Sequence, residues 1–352
     1  MKYQTIRDVD VKGKTVLVRV DYNVPMKDGK ITDDLRIRAS LPTLEYLRTV
    51  GAKKIILISH LGRPEGRDAE LSLEKAAKAL GKMLPGVEFV AEVAGEKVEK
   101  KVNEMKDGGI LVLENLRFDR GEEENSAEFM KKIVDATGAE IYVQDGFAVI
   151  HRAHASVARV SEFLPVYMGL LLEKEVENLE KVVASPEKPV LLIIGGAKVE
   201  DKEPLIEKFK EKADQIVVGG KIAADGYKSD GNIYVAEDFD EDGTGAKLDV
   251  GPLATVKIAG FIADAKTIIW NGLLGKAEDP AYATASTITA EMIGEKEDAE
   301  TVICGGDTTG FVENLMKDHP NLKYSLVSTG GGAALEFLLG KKLPGLEVIK
   351  QN

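Results

Sequence analysis

Residues 189–196 read PVLLIIGG, an unbroken apolar run closed by a glycine pair. A strand with one wet face would alternate apolar and polar side chains; an unbroken run suits a strand covered on both faces, as in a parallel sheet between helices. Towards the C-terminus the pattern repeats in QIVVGG (215–220), TIIWNG (267–272), TVICGG (301–306) and YSLVST (324–329). Towards the N-terminus it repeats in TVLVRV (15–20), KIILIS (54–59), ILVLEN (110–115) and IYVQDG (141–146). Helix-like segments lie between the runs, among them LSLEKAAKALGKML (71–84) and SAEFMKKIVDATG (126–138), the latter with Ser126 as N-cap and Gly138 as C-cap. The alternation predicts an α/β chain: two doubly wound parallel-sheet, Rossmann-like domains joined by a hinge helix. VYMGLLLEKEVENLEKVVASPEKP (166–189) has helical apolar spacing and a proline-marked stop. The expected division is therefore 1–168, a connecting helix and hinge over 169–188, and 189–340.

A length of 352 residues fits two domains at about 150 each. The net charge of −12 argues against nonspecific binding of nucleic acid or anionic membrane. The single cysteine, Cys304, forms no intramolecular disulfide and no cysteine-based zinc site, and it fits a reducing, cytoplasmic setting. The N-terminal sequence shows no apolar signal core, and no run of 18 apolar residues occurs. The acidic stretch EDFDEDGTG (237–245) reads as a solvated loop.

Ligands of doubly wound sheets bind beyond the carboxyl ends of the strands. In the first half those ends carry Asp21 and Asn23, His60 and Arg63, Arg117, and then His151, Arg152 and His154, with Arg36 and Arg38 opening the first helix. An acidic chain has gathered arginine and histidine at one edge, which suits a small phosphate or carboxylate. Arg38 reads as an ordinary surface residue. Asp21 and Asn23 are either a turn pair or acceptors for substrate hydroxyls.

In the second half the strand ends carry glycines: GGAK (195–198), VGG (218–220), WNGLLG (270–275), CGGDT (304–308) and STGGGA (328–333). Glycine lets backbone N–H groups approach an anion, and a helix start adds partial positive charge. CGGDTTGFVENL and STGGGAALEFLLG both run from strand through glycines into a helix, as in a cradle for nucleotide phosphates. Asp307 offers a magnesium ligand and Thr308 a hydroxyl. Lys198 and Lys202 share a face if their segment is helical, and would meet terminal phosphates. No Walker motif and no G-x-G-x-x-G occurs; the Gly-Lys-Thr at 13–15 precedes a strand. An anion site in one domain and a nucleotide site in the other suggest a hinge-closing phosphoryl transferase.

The segments VRVDYNVP (18–25), SHLGRP (59–64), LENLRF (113–118), HRAHAS (151–156), GGAKVEDK (195–202), WNGLLG (270–275), GGDT (305–308) and STGGGAALE (328–336) together resemble the phosphoglycerate kinase family, in its order and over most of the chain. The resemblance implies a monomer that transfers a phosphoryl group reversibly between 1,3-bisphosphoglycerate with ADP and 3-phosphoglycerate with ATP, using Mg2+. It implies a 3-phosphoglycerate site of Asp21, Asn23, Arg36, His60, Arg63, Arg117 and Arg152. It implies a nucleotide site of Gly196, Lys198, Lys202, Gly219, Asn271, Glu278, Gly305, Gly306, Asp307 and Thr308, with Asp307 as the metal ligand. Arg36 and Lys198, assisted by the helix starts at Gly306 and Gly331, are the implied catalytic groups. The segment LPGLEV in the tail 341–352 is similar to the family's closing segment, which packs back on the first domain. The alternatives are a noncatalytic nucleotide-binding paralogue, or a phosphotransferase of altered nucleotide or carboxylate specificity. The chain departs from the family pattern in a short segment between 221 and 248, which bears on base recognition, and at Gly146, Val149, Ile150, Leu273, Lys276, Ala277 and Cys304.

Overall fold

The computed structural model describes residues 3–351. The chain divides into two compact units, one running to Lys174 and taking in the C-terminal segment from Lys342, the other Glu175–Lys341.

The first unit is built on a six-stranded parallel sheet in the order Val87–Phe89, Gly109–Val112, Lys54–Ile58, Thr15–Arg19, Ile141–Gln144, Val166–Met168. The central strands are buried along nearly their whole length because helices cover both faces. Helix Ala127–Thr137 is capped as its sequence predicts: Ser126 Oγ accepts from Phe129 N–H, and Gly138 stops it in the left-handed conformation at φ 59°. The stretch 166–189 is not helical throughout. Val166–Met168 is the sixth strand, and the helix Leu170–Ala184 begins after Gly169. The C-terminal segment returns to this unit, with Gln4 N–H donating to Lys350 O at 2.8 Å and Gly345 N–H to Ile150 O at 2.9 Å.

The second unit holds another six-stranded parallel sheet, ordered Ile233–Val235, Gln215–Val218, Val190–Ile194, Thr267–Asn271, Glu300–Cys304, Leu326–Val327. Counted along the chain this is 3-2-1-4-5-6, the order of dinucleotide-binding folds. Its switch point lies between Val190–Ile194 and Thr267–Asn271, the strands that end in Gly195 and Gly272. There the two backbones touch. A Cβ on Gly195 would stand 2.2 Å from Leu273 O, and one on Gly272, at φ 104°, 2.1 Å from Gly195 O. The only tryptophan, Trp270, is fully buried in the same strand and donates from Nε1 to Gly272 O at 2.8 Å.

The acidic stretch 237–245 is not a free loop. Phe239–Glu241 pairs antiparallel with Lys247–Val250 as a hairpin. Asp238, Asp240, Asp242 and Gly243 have the spacing of a calcium loop, but two of the three carboxylates serve other partners. Asp238 accepts from Leu253 N–H and Ala254 N–H at the start of helix Pro252–Asp264, and Asp242 accepts from Thr244 N–H and Ala246 N–H in the hairpin turn. Among the described residues no group of three or more metal-ligating side chains converges, and no helix is long and apolar enough to cross a membrane.

The glycine contact at the switch point generates a stability prediction. Gly272→Ala adds both a left-handed φ for an L-residue and a backbone clash, and should destabilise the second unit by more than about 2 kcal/mol. Gly243→Ala, where an added Cβ meets nothing within 4 Å, should stay within about 0.5 kcal/mol of the parent. Urea unfolding of both variants makes the comparison.

Candidate active site

At the carboxyl edge of the first sheet, cationic side chains converge on His60. The ring is 4% exposed, and Arg19 Nη2 lies 3.2 Å from its Nδ1. Burial holds the imidazole pKa well below its usual value, and the charges of Arg19, Arg117, Arg36 and Arg152 lower it further. His154 is pushed down to about 4, first by burial and then by Arg117, Arg19 and Arg152. Both of these histidines are therefore neutral near pH 7, and neither adds to the positive charge of the arginines around them.

Arg117 is nearly as confined as Arg19. Its side chain is almost wholly buried, its Nη1 donates to Gly62 O at 2.6 Å, and its Nε lies 3.1 Å from Glu123 Oε1. Its Nη2 is buried with no hydrogen-bond partner. A buried guanidinium N–H without an acceptor is costly in the empty protein and suited to an incoming anion. Arg36 pairs with Asp21 Oδ2, and Asp21 Oδ1 accepts from Asn23 N–H at 3.0 Å. Asn23 Oδ1 in turn accepts from Gly62 N–H at 2.8 Å. Asp21 and Asn23 thus tie the first strand end to the loop after the second. Arg152 Nε lies 3.3 Å from His151 Nε2. Arg63 is exposed and has no ion-pair partner among the described residues, and Arg38 pairs with Asp34 on the outside of its helix.

Asp145 lies beside this edge, fully buried at the start of helix Leu170–Ala184, where its Oδ1 accepts from Leu171 N–H at 3.0 Å. Burial pushes its carboxyl up to about 7.

In the second unit a cleft of about 620 Å3 opens at the switch point. Gly196, Lys198, Lys202, Glu278, Gly305, Gly306, Asp307 and Thr308 line it together. Gly219, Asn271 and Gly331 are not part of this lining. Asn271 is buried, takes a hydrogen bond from Lys202 Nζ and donates from Nδ2 to Cys304 Sγ at 3.1 Å. Burial pushes the Cys304 thiol up to about 11. Gly331 begins helix Gly331–Leu338, and a Cβ there would stand 2.9 Å from the backbone nitrogen of Gly306, which begins helix Gly306–Asp318. The missing side chain keeps that N–H accessible. A Cβ on Gly219 would meet Leu274 Cδ2 at 2.6 Å, so its role is packing under the cleft.

Lys198 and Lys202 do not share a helical face. The segment after Gly196 is turn, and the helix is Glu203–Phe209, with Lys202 at its N-cap. Lys202 is partly buried, and desolvation lowers its pKa. Lys198 is exposed, with no ion-pair partner among the described residues. Thr308 Oγ1 accepts from Gly272 N–H at 2.8 Å, which locks the helix start to the switch point and leaves the hydroxyl hydrogen for a ligand.

Of the exposed carboxylates lining this cleft, Asp201, Glu278 and Asp307, the last stands in the first turn of helix Gly306–Asp318, and among the described residues no group of three or more metal-ligating side chains converges. That donor set fits a hard cation held chiefly by substrate phosphates and water.

Several residues of these sites escaped the sequence reading. Arg19 lies inside the run TVLVRV, and a charged residue in a fully buried strand was its signal. Lys221, Lys247 and Lys276 reach the cleft from three separate segments, and only folding joins them.

A family model described as phosphoglycerate kinase matches residues 6–243 and 224–341. The two matches overlap at 224–243, inside the segment that the sequence reads as shortened. The chain is 40% identical to phosphoglycerate kinase of Dictyoglomus turgidum and 41% identical to that of Fervidobacterium nodosum, in each case over 99% of this chain and 98% of the relative. The alignments run to 397 and 400 positions, more than the 352 residues of this chain, so the relatives carry segments that it lacks. Among solved structures it resembles phosphoglycerate kinase of Pyrococcus horikoshii (TM-score 0.85, 29% identity) and of Coxiella burnetii (TM-score 0.79, 32% identity), each covering 98% of both chains.

Asp145 supplies a pH test of the first unit. Its folded pKa is raised, so its contribution to stability is complete below the unfolded value near 4 and is lost as pH rises through about 7. From pH 5 to pH 8 the parent should lose roughly 2–3 kcal/mol relative to Asp145→Asn, as read by paired urea titrations.

Proposed function

The chain belongs to the phosphoglycerate kinase family and catalyses its reaction, the reversible transfer of a phosphoryl group between 1,3-bisphosphoglycerate with ADP and 3-phosphoglycerate with ATP, and from that premise we propose which residues perform it. In the direction of ATP formation a β-phosphate oxygen of ADP attacks the acyl phosphorus. The bond from phosphorus to the acyl oxygen breaks, and its electron pair stays on the carboxylate of 3-phosphoglycerate. Nucleophile and leaving group both belong to the substrates, so the protein's task is to hold oxygens in line and to meet charge on the transferring group.

The 3-phosphoglycerate ligands are Arg36, His60, Arg63, Arg117 and Arg152, with Asp21 and Asn23 positioned for its polar groups. The observation that carries this half is the buried Arg117 Nη2, an N–H group that lacks an acceptor until an anion arrives. The nucleotide phosphates lie over Gly196, Gly305 and Gly306, with Lys198 and Lys202 on their oxygens and Thr308 donating a hydrogen bond. Asn271 holds Lys202, Gly219 and Gly331 shape the backbone around the cleft, and Glu278, which lines the same cleft, serves the nucleoside. Asp307 would hold magnesium on the phosphates, and the ion's contribution is neutralisation of their charge.

Lys198 has the character of a group that follows charge during transfer. It is exposed, unpaired and on a turn, whereas Lys202 is partly buried and bonded to Asn271. Lys198 and Arg36 therefore stabilise the transferring group, with the helix starts at Gly306 and Gly331 contributing partial positive charge.

Turnover of 3-phosphoglycerate with magnesium and ATP, coupled to NADH oxidation through glyceraldehyde-phosphate dehydrogenase, tests these roles. Lys198→Ala should lower kcat by about 100-fold or more with KM changed less than about threefold. Asp307→Ala should instead raise the apparent KM for magnesium nucleotide about tenfold. Folded Lys198→Ala with undiminished kcat would refute the assignment.

A further inference from the structure

Arg19 is one of the two most deeply buried charged residues of the first unit, and its donors go to identifiable acceptors. Its Nε donates to Ser156 Oγ at 3.0 Å and its Nη1 to Val20 O at 2.6 Å. Its Nη2 lies 3.2 Å from His60 Nδ1 and 4.0 Å from Glu122 Oε1. Glu122 is equally buried and is held by Ser156, which donates from Oγ to Oε1 at 2.6 Å and from N–H to Oε2 at 2.9 Å. The guanidinium is thus held by a carboxylate, two serines (Ser156, and Ser59 Oγ at 3.4 Å from Nη1) and a backbone carbonyl, while Nη2 also faces the histidine.

Guanidinium groups have donors and no acceptor. The contact with His60 can then run one way only: Arg19 donates, and Nδ1 accepts with its lone pair. A neutral imidazole that accepts at Nδ1 carries its proton on Nε2. That second nitrogen has no hydrogen-bond partner among the described residues.

We infer that Arg19 is a positioning residue: it fixes His60 as the Nε2–H tautomer, so that His60 presents a neutral hydrogen-bond donor to an oxygen of 3-phosphoglycerate. The inference rests on the reading of His60 as a substrate ligand, and it adds what the ring donates and why. The charged groups acting on the ring are Arg19, Arg117, Arg36 and Arg152, all cationic. Together with burial they disfavour imidazolium. The donor therefore keeps one form across the pH range in which a free histidine would change charge.

The first test uses the parent protein. Nitrogen-15 NMR of the histidine side chains, with His60 assigned by difference against His60→Gln, should show a neutral ring protonated at Nε2 and no ionisation in the range where a free histidine titrates. An Nδ1–H ring, or ionisation near pH 6.5, would overturn the inference whether or not any arginine variant folds. The second test is kinetic. Arg19→Gln should raise KM for 3-phosphoglycerate about tenfold with a smaller change in kcat, and should add a break between about pH 5 and 7 to the pH profile of kcat/KM. Arg19→Lys keeps a donor and a charge, and should recover most of the flat profile. A folded Arg19→Gln with the parent's KM and pH profile would also overturn it. Failure of the underlying reading looks different: His60→Ala would leave KM for 3-phosphoglycerate unchanged while the parent NMR signature stood.

Discussion

The second unit depends on a backbone contact that only glycine permits. Gly195 and Gly272 end the two strands flanking the switch point, and each occupies the space where the other's neighbourhood would meet a side chain. Gly195 N–H donates to Asn271 O at 3.1 Å and Gly196 N–H to Leu273 O at 2.8 Å, so the two chains leave the sheet still bonded to each other. Gly220 joins them from a third strand end, where a Cβ would stand 2.8 Å from Leu273 O. The cleft floor is therefore made of backbone. A polyphosphate needs many short N–H contacts, and a floor without side chains lets it come close enough to receive them.

The two sites reach positive potential in an acidic protein by different means. The first unit uses arginines whose geometry is set by burial and by fixed partners: Arg19 on Glu122, Arg36 on Asp21, Arg117 on Gly62 O. Planar forks held in this way suit a ligand whose oxygens keep fixed positions. The second unit uses lysines, most of them exposed, over a rigid backbone cradle. Lysine is a point charge on a flexible stem and can move with a phosphate as the phosphate moves. The division suits the proposed placement of the small acid in the first unit and of the nucleotide phosphates in the second.

Local signals were legible in the sequence, and non-local ones were not. Both sheets could be read from unbroken apolar runs, and the helix Ala127–Thr137 from its serine and glycine ends, because burial on two faces and capping are encoded within a few residues. The cationic edge and the glycine cradle were legible because strand ends in doubly wound sheets gather on one side. Arg19 was hidden inside an apolar run, where the neighbours that neutralise it, Glu122 and Ser156, are more than a hundred residues away. The hairpin at 239–250 was hidden by its acidity: strand pairing there is maintained by backbone bonds and by Asp242 in the turn, with little apolar pattern to announce it. Val166–Met168 was merged with the helix that follows because a three-residue strand leaves too little periodicity to separate them.

The position of Trp270 has a practical meaning for anyone watching this molecule in solution. It is the only indole in the chain, and it sits at the end of a cleft-forming strand with its N–H on Gly272 O. All tryptophan emission therefore originates in the second unit, two residues before Gly272 in the backbone contact that forms the cleft floor. The first unit is spectroscopically silent in that band. An emission shift during denaturation reports one half of the chain alone, and its disagreement with circular dichroism would measure how independently the two halves come apart.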